Sequence, residues 1–166
     1  MQKSDVSAED RLEMIRRGIQ EIKTAEAWDF EIRNGGKSYS YRTIEEAAKN
    51  WPGKELIFFT GSDMFLSLHT WKYPERIFSL AKIAVFSRTG TDFNDLNRQK
   101  EFLRKTYRAA CFLFEEKPIA VSSTEIREQL RNRQSFEYLP AAVAEYIKEK
   151  GLYPPRNDDG RNHPVY

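Results

Sequence analysis

Three short apolar runs set the strongest limit on what this chain can fold into: LIFFT at 56–60, IAVF at 83–86 and CFLF at 111–114. A run with no polar alternation is the pattern of a strand covered on both faces, as in a parallel sheet. Parallel neighbours need a long crossover, and the spacing supplies one each time: a helical region at 62–81, then a charged helix around 94–108. A shorter run, IAV at 119–121, reads as a fourth strand. Strands alternating with helices predict an α/β fold, a Rossmann-like parallel sheet with helices on both faces.

The flanking segments follow the same logic. Ser7-x-x-Asp10 resembles a capping box, and Leu12, Ile15, Ile19 and Ile22 recur at helical spacing, so one face of that helix is expected to be buried. Trp28, Phe30 and Ile32 alternate with charged residues, which predicts a strand ended by the NGG at 34–36. Thr43-x-x-Glu46 predicts the cap of a second helix carrying Ile44, Ala47 and Ala48, stopped by Trp51-Pro52-Gly53. Two last helices are expected near Ser122 and Pro140, with Ile126, Leu130, Val143 and Ile147 on their apolar faces and Gly151 as a C-cap. No repeat or interdomain linker is visible. Residues 1–153 read as one domain and 154–166 as a disordered tail with little to bury.

Charge and cysteine usage exclude several classes of function. The 27 Lys+Arg against 25 Asp+Glu leave a net charge of +2, too little to argue for a nucleic-acid polymer or an anionic membrane as partner. Cys111 is the single cysteine, so no internal disulfide can form, and no Cys/His group has zinc spacing. The N-terminus lacks the apolar core of a signal peptide, and no apolar stretch approaches the roughly 18 residues that span a bilayer. The expectation is a cytoplasmic protein in a reducing compartment.

In parallel α/β sheets ligands bind beyond the carboxyl ends of the strands. Those ends are polar here: Gly61-Ser62-Asp63, Ser87-Arg88-Thr89-Gly90 and Ser122-Ser123-Thr124. On one rim they would gather a carboxylate, a guanidinium and several hydroxyls, the equipment of a nucleotide site. Ser122-x-x-Glu125 fits a capping box, so helix N-terminal amides with Ser123 and Thr124 can face an anion, and Arg127 can add charge-assisted bonds to phosphate. An ordinary capped helix with a solvated arginine explains the same residues. Asp63 suits ribose hydroxyls or simply the first turn of a helix; Trp71 suits a stacked heteroaromatic ring or the core; Arg88 suits phosphate or solvent. His69 and His163 do not suggest metal ligands, and no Ser/His/Asp or Cys/His arrangement is present.

Taken in order, SAEDRLEM at 7–14, KSYSYRT at 37–43, GSDMFLSLHTW at 61–71, FSRTG at 86–90, VSSTEIR at 121–127 and YIKEKGLY at 146–153 resemble bacterial nicotinate-nucleotide adenylyltransferase over nearly the whole chain. The resemblance implies transfer of AMP from ATP to nicotinate mononucleotide, giving deamido-NAD and pyrophosphate with Mg²⁺ assistance, a step of NAD biosynthesis. It implies that Gly61 and Asp63 contact nucleotide and that Trp71 stacks on the nicotinate ring beside the backbone of Lys72. Ser40 stands where the family usually has a threonine near the nicotinate carboxylate. Arg88, Ser122, Ser123, Thr124 and Arg127 fall on the side of ATP and its phosphates. Arg42 sits where an aspartate is common. The family's His-x-Gly-His motif, which holds the ATP phosphates, is absent from this sequence, so the resemblance supplies no catalytic residue. The expectation is that a βαβ unit of about 30 residues or more is missing, leaving unpaired edges and uncovered apolar faces, and that this chain alone is marginal, its own activity staying open. A nucleotide-binding or interaction module without activity is the alternative. Preference for nicotinamide mononucleotide, and an oligomeric state, stay open.

Overall fold

β1 (Leu56–Gly61), β2 (Ala81–Ser87) and β3 (Cys111–Glu115) form a parallel sheet in the order β1-β2-β3. Leu56 pairs with Ala81 and Ile83 with Cys111, so all three strands point their carboxyl ends to the same edge. The computed structural model describes residues 6–87, 93–115, 122–132, 134 and 138–155. It divides into two compact units, one of Asn34–Ile119 and one of Met1–Arg33 with Ala120–Tyr166. Arg88, the IAV run and the tail from 156 lie outside the described residues.

The first unit holds the sheet. Its core is built from Ile83, Val85 and Cys111 on one sheet face and Tyr41, Ile44, Phe65, Leu68, Ile77, Leu96 and Leu103 from the surrounding helices, with Leu56, Phe58 and Leu113 packed against them. The helices are α3 (Ser40–Asn50), α4 (Ser62–Ser67), α5 (Pro74–Leu80) and α6 (Phe93–Tyr107). The α/β class and the parallel sheet are as the sequence predicts. The expectation that LIFFT is covered on both faces fails at alternate positions: Ile57 is 48% and Phe59 62% exposed, while Phe58 and Thr60 turn inward. Phe86, Phe112 and Phe114 continue that exposed face across β2 and β3. An apolar run records that both sides of a strand are hydrophobic, not that both are covered.

Three local expectations are corrected. Residues Trp28 to Ile32 do not form a strand; Phe30–Asn34 is a short helix, α2. The Arg33–Asp29 ion pair at 2.8 Å and the hydrogen bond from Arg33 N–H to Asp29 O at 3.0 Å, both four residues apart, favour a helical turn over two-residue alternation. Helix α3 begins at Ser40, three residues before the predicted Thr43 cap, with Tyr39 at the N-cap and no side-chain cap bond. Burial of Tyr41 and Ile44, three apart, carries the apolar face into that earlier turn. The helical region at 62–81 is three pieces: α4, a 3₁₀ turn at Leu68–Thr70, and α5. Pro74 opens α5 at its N1 position, where the missing N–H costs nothing.

The second unit contains α1 (Ala8–Ile19), α7 (Ser123–Arg131) and α8 (Ala141–Lys150) around Leu130, Val143 and Ile147, with Met14 and Ile126 packed against them. Ser7 caps α1, its Oγ accepting from Asp10 N–H at 2.9 Å. No residue of α1 is fully buried and Ile15 is exposed, so its predicted buried face is only partly realised. Gly151 closes α8 in the left-handed conformation at φ 61, where glycine carries no Cβ penalty. Among the described residues no helix is long and apolar enough to cross a membrane.

Candidate functional site

In the sheet unit, β1 delivers Gly61 and Asp63 to the carboxyl edge. Gly61 is the N-cap of α4, in extended backbone at φ −81 and ψ 168. A Cβ added to it would meet open space, so no protein neighbour requires a glycine there. Asp63 is exposed in the first turn of α4, and its carboxylate makes no ion pair or hydrogen bond among the described residues. Ser67 is tied back to this turn, its hydroxyl donating to the Asp63 carbonyl at 3.2 Å.

A second group sits where the start of α3 meets the segment after the 3₁₀ turn. Trp71 is half-buried; its backbone N–H donates to the Leu68 carbonyl at 3.2 Å and its ring stands edge-on to Phe58 at 6.4 Å. The exposed Lys72 that follows places its ammonium 4.7 Å from the centre of the Tyr39 ring and 5.4 Å from that of Tyr73. Tyr39 immediately precedes the half-buried Ser40 in the chain. Tyr41 and Tyr73 meet at right angles with centres 5.0 Å apart, and Arg76 lies over both while pairing with Glu45 at 3.0 Å. Tyr73 holds a left-handed backbone, φ 53 and ψ 55, a conformation that costs a non-glycine residue about 1–2 kcal/mol. Arg42 donates from Nε to the Tyr41 hydroxyl at 3.1 Å, and that bond raises the guanidinium further above its ordinary range.

The sequence reading named Ser40, Trp71 and Lys72 here and missed Tyr39 and Tyr73. The alternating tyrosines of KSYSYRT and the aromatic pair around Lys72 were the available signal.

In the helical unit the predicted capping box is complete. Glu125 N–H donates to Ser122 Oγ at 3.1 Å, and Ser122 N–H donates to Glu125 Oε2 at 2.6 Å. Those bonds to Ser122 hold the Glu125 carboxyl below its ordinary range. The cap satisfies the third helical amide and leaves those of Ser123 and Thr124 directed out of the helix end. Arg127 donates from Nη2 to the Thr124 hydroxyl at 3.3 Å. Ser123 and Arg127, with Arg11, line an open groove of about 430 Å³ whose floor is apolar, including Met14, Ile126 and Val143. Hydroxyl, guanidinium and apolar floor together suit a ligand with one charged and one apolar part.

Other chemistry-bearing residues are occupied structurally. His69 Nδ1 lies 2.9 Å from Gln99 Nε2, and the imidazole stands edge-on to Phe102 at 5.4 Å. Cys111 is buried at the start of β3, and burial pushes its thiol up to about 11. Among the described residues no three His, Cys, Asp or Glu side chains are grouped to hold a metal ion.

Residues 2–129 match the cytidylyltransferase-like family model. A protein of Clostridium botulinum (strain Alaska E43 / Type E3) named "Probable nicotinate-nucleotide adenylyltransferase" is 34% identical over 152 residues, covering 91% of this chain and 75% of that protein. A protein of the same name from Desulfitobacterium hafniense (strain DSM 10664 / DCB-2) is 34% identical over 148 residues, covering 89% and 72%. The chain thus spans about three quarters of the length of these relatives. Among solved structures, Plasmodium falciparum nicotinic acid mononucleotide adenylyltransferase complexed with APC superposes with a TM-score of 0.53 at 17% identity, over 72% of this chain and 60% of that one. That likeness speaks to fold: both share the parallel α/β arrangement. On the family match and the two relatives, the chain belongs to the cytidylyltransferase-like family and, within it, to the nicotinate-nucleotide adenylyltransferases.

Proposed function

We propose that this chain transfers AMP from ATP to nicotinate mononucleotide, releasing pyrophosphate and forming deamido-NAD, in NAD biosynthesis. The observation that carries the reading is the 34% identity with a named nicotinate-nucleotide adenylyltransferase across 91% of the chain. In the reaction a phosphate oxygen of the mononucleotide attacks the α-phosphorus of ATP, one P–O bond forms, and the bond to pyrophosphate breaks. Such chemistry asks for positioning and charge stabilisation rather than covalent help.

The residues divide accordingly. Trp71, half-buried, stacks on the pyridine ring, and Ser40 and Lys72 flank it. Gly61 lets the nucleotide approach the end of β1, and Asp63 accepts from ribose hydroxyls. Ser122 holds the α7 terminus in shape, while Ser123, Thr124 and Arg127 meet ATP phosphates; Arg88 is assigned to the same side. Mg²⁺ enters as part of the MgATP substrate.

The test is formation of pyrophosphate and dinucleotide by the purified chain with ATP, Mg²⁺ and nicotinate mononucleotide. Product formation is the expected result, and its absence with both nucleotides still bound overturns catalysis.

A further inference from the structure

The groove between α1, α7 and α8 carries more apolar surface than adenylyl transfer uses. Met14, Ile126, Leu130, Val143 and Ile147 line a space of about 430 Å³, which is of small-ligand size, in the range of about 300–1,000 Å³. Ile15 belongs to the same lining while staying 52% exposed, so the groove opens to solvent. Tyr153 is the one aromatic ring on the lining among the described residues, so no pair of ring faces offers a sandwich for a flat base. The guanidiniums of Arg11 and Arg127 stand on the lining, and among the described residues no carboxylate does. Carboxylates of α1 and α7 bond elsewhere: Glu13 to Arg17 at 3.0 Å, Glu128 to Arg131 at 2.8 Å, and Glu125 to the Ser122 N–H at 2.6 Å. The half-buried Arg127 makes no ion pair among the described residues; its Nη2 donates to the neutral Thr124 hydroxyl. A guanidinium so placed has donors to spare for a carboxylate that meets it edge-on.

We propose that this groove binds an anionic amphiphile, a free medium-chain fatty carboxylate, with its acyl chain against Met14, Ile15, Ile126 and Val143 and its carboxylate on Arg127 and Arg11. The aliphatic lining favours a flexible chain over a ring system, and Met14 adds a contact that adapts to the chain's path. Each methylene buried there multiplies affinity by about fourfold, and the guanidinium fixes which end of the ligand lies beside it. The binding site stands on the groove alone. Its consequence rests on the proposed function: Ser123 and Arg127 also meet ATP phosphates, so a bound carboxylate excludes ATP and slows adenylyl transfer.

The experiment is calorimetric titration of the full chain with octanoate, decanoate and dodecanoate, and with uncharged decanol, all below micelle-forming concentrations. Affinity is expected to rise by about two- to fourfold per added methylene, with decanol at least tenfold weaker than decanoate. An affinity that ignores chain length, or decanol binding as tightly as decanoate, overturns the proposal. Ile15→Glu sets a carboxylate into the groove wall at a solvent-exposed position and should weaken decanoate at least tenfold; unchanged affinity overturns the site. Decanoate binding abolished instead by Phe59→Ser/Phe114→Ser would put the ligand on the exposed sheet face and overturns it likewise. So does binding to phosphatidylglycerol vesicles without binding of free decanoate, which would make the groove a membrane contact. A parallel titration with ATP keeps the two readings apart. Decanoate binding by a chain that binds no ATP supports the groove site and overturns the proposed function, whereas ATP binding without decanoate binding does the reverse. Decanoate left in place by saturating ATP keeps the site and removes Arg127 from the ATP phosphates.

Discussion

Gly61 separates the needs of the fold from those of the ligand. Its φ of −81 is available to any residue, and its Cβ position opens into empty space. At a helix N-cap alanine is somewhat worse than glycine, so Gly61→Ala should cost no more than about 1 kcal/mol of stability. The added methyl would occupy the space a nucleotide needs, and nucleotide affinity should fall at least tenfold by equilibrium titration. Unchanged affinity would return Gly61 to an incidental cap. Cys111 gives a second prediction at this scale, from burial alone. Its thiol ionises at about 11 in the fold against an ordinary 9.0. The folded state therefore favours the neutral thiol, so its contribution is fully present below about pH 9 and is lost as pH rises towards 11. Thermal melting across that window should show wild type losing stability more steeply than Cys111→Ala; parallel curves would contradict the burial argument. Single residues were legible in the sequence where their chemistry is local: Ser122 and Glu125 bond each other three residues apart, as the text implied. The contact of Lys72 with Tyr39 was not, because these positions lie far apart in the chain and meet only when the segment after the 3₁₀ turn folds back.

At the scale of elements, capping and tertiary ties decide stability. Ser122→Ala removes the acceptor for Glu125 N–H and should cost about 1 kcal/mol, seen as faster hydrogen exchange in the first turns of α7 and as weaker ATP binding. Protection left intact in α7 would mean that packing of Leu130, not the cap, holds the helix. α1 and α8 are joined by the Tyr146 hydroxyl donating to Asp10 Oδ1 at 2.8 Å. Hydrogen bonds from Ser7 first and Tyr146 second hold the Asp10 carboxyl below its ordinary 3.8. The sign follows from that direction: the contribution is present above pH 3.8 and is lost as pH falls through the lower folded value. Tyr146→Phe should therefore be less stable than wild type at neutral pH, with the gap closing in acid; a pH-independent gap would mean that the loss does not come through the Asp10 carboxylate. Element type was readable wherever a cap or a long apolar period fixed it, as at Ser7, Ser122 and Gly151. It was misread at Trp28–Ile32, where five residues of alternation were outweighed by one i,i+4 charge pair, and at Thr43, whose capping pattern lies inside a helix that burial of Tyr41 had already begun.

At the scale of the whole molecule, the exposed sheet face sets the chain's behaviour. Ile57, Phe59, Phe86, Phe112 and Phe114 lie on one side of the sheet and are all substantially exposed. The parallel α/β class was legible because three short apolar runs alternate with helices. How many faces those helices cover was not, since a hydrophobic side chain reads the same covered or bare. Three of the phenyl rings form a ladder: Phe59 on Phe86 at 5.8 Å and 18°, and Phe86 on Phe114 at 5.1 Å and 16°. Aromatic pairs are worth about 0.5–1.5 kcal/mol beyond area burial. Phe86 takes part in two such pairs and Phe59 in one, so Phe86→Ala should destabilise more than Phe59→Ala although Phe59 is the more exposed ring. Exposed apolar surface of this kind binds hydrophobic dyes and promotes self-association. The folded wild-type chain should enhance fluorescence of an anilinonaphthalene dye, and Phe59→Ser/Phe114→Ser should cut that signal by more than half while lowering the apparent mass in sedimentation at high concentration. A dye signal unaffected by the double substitution would mean that this face is covered in solution.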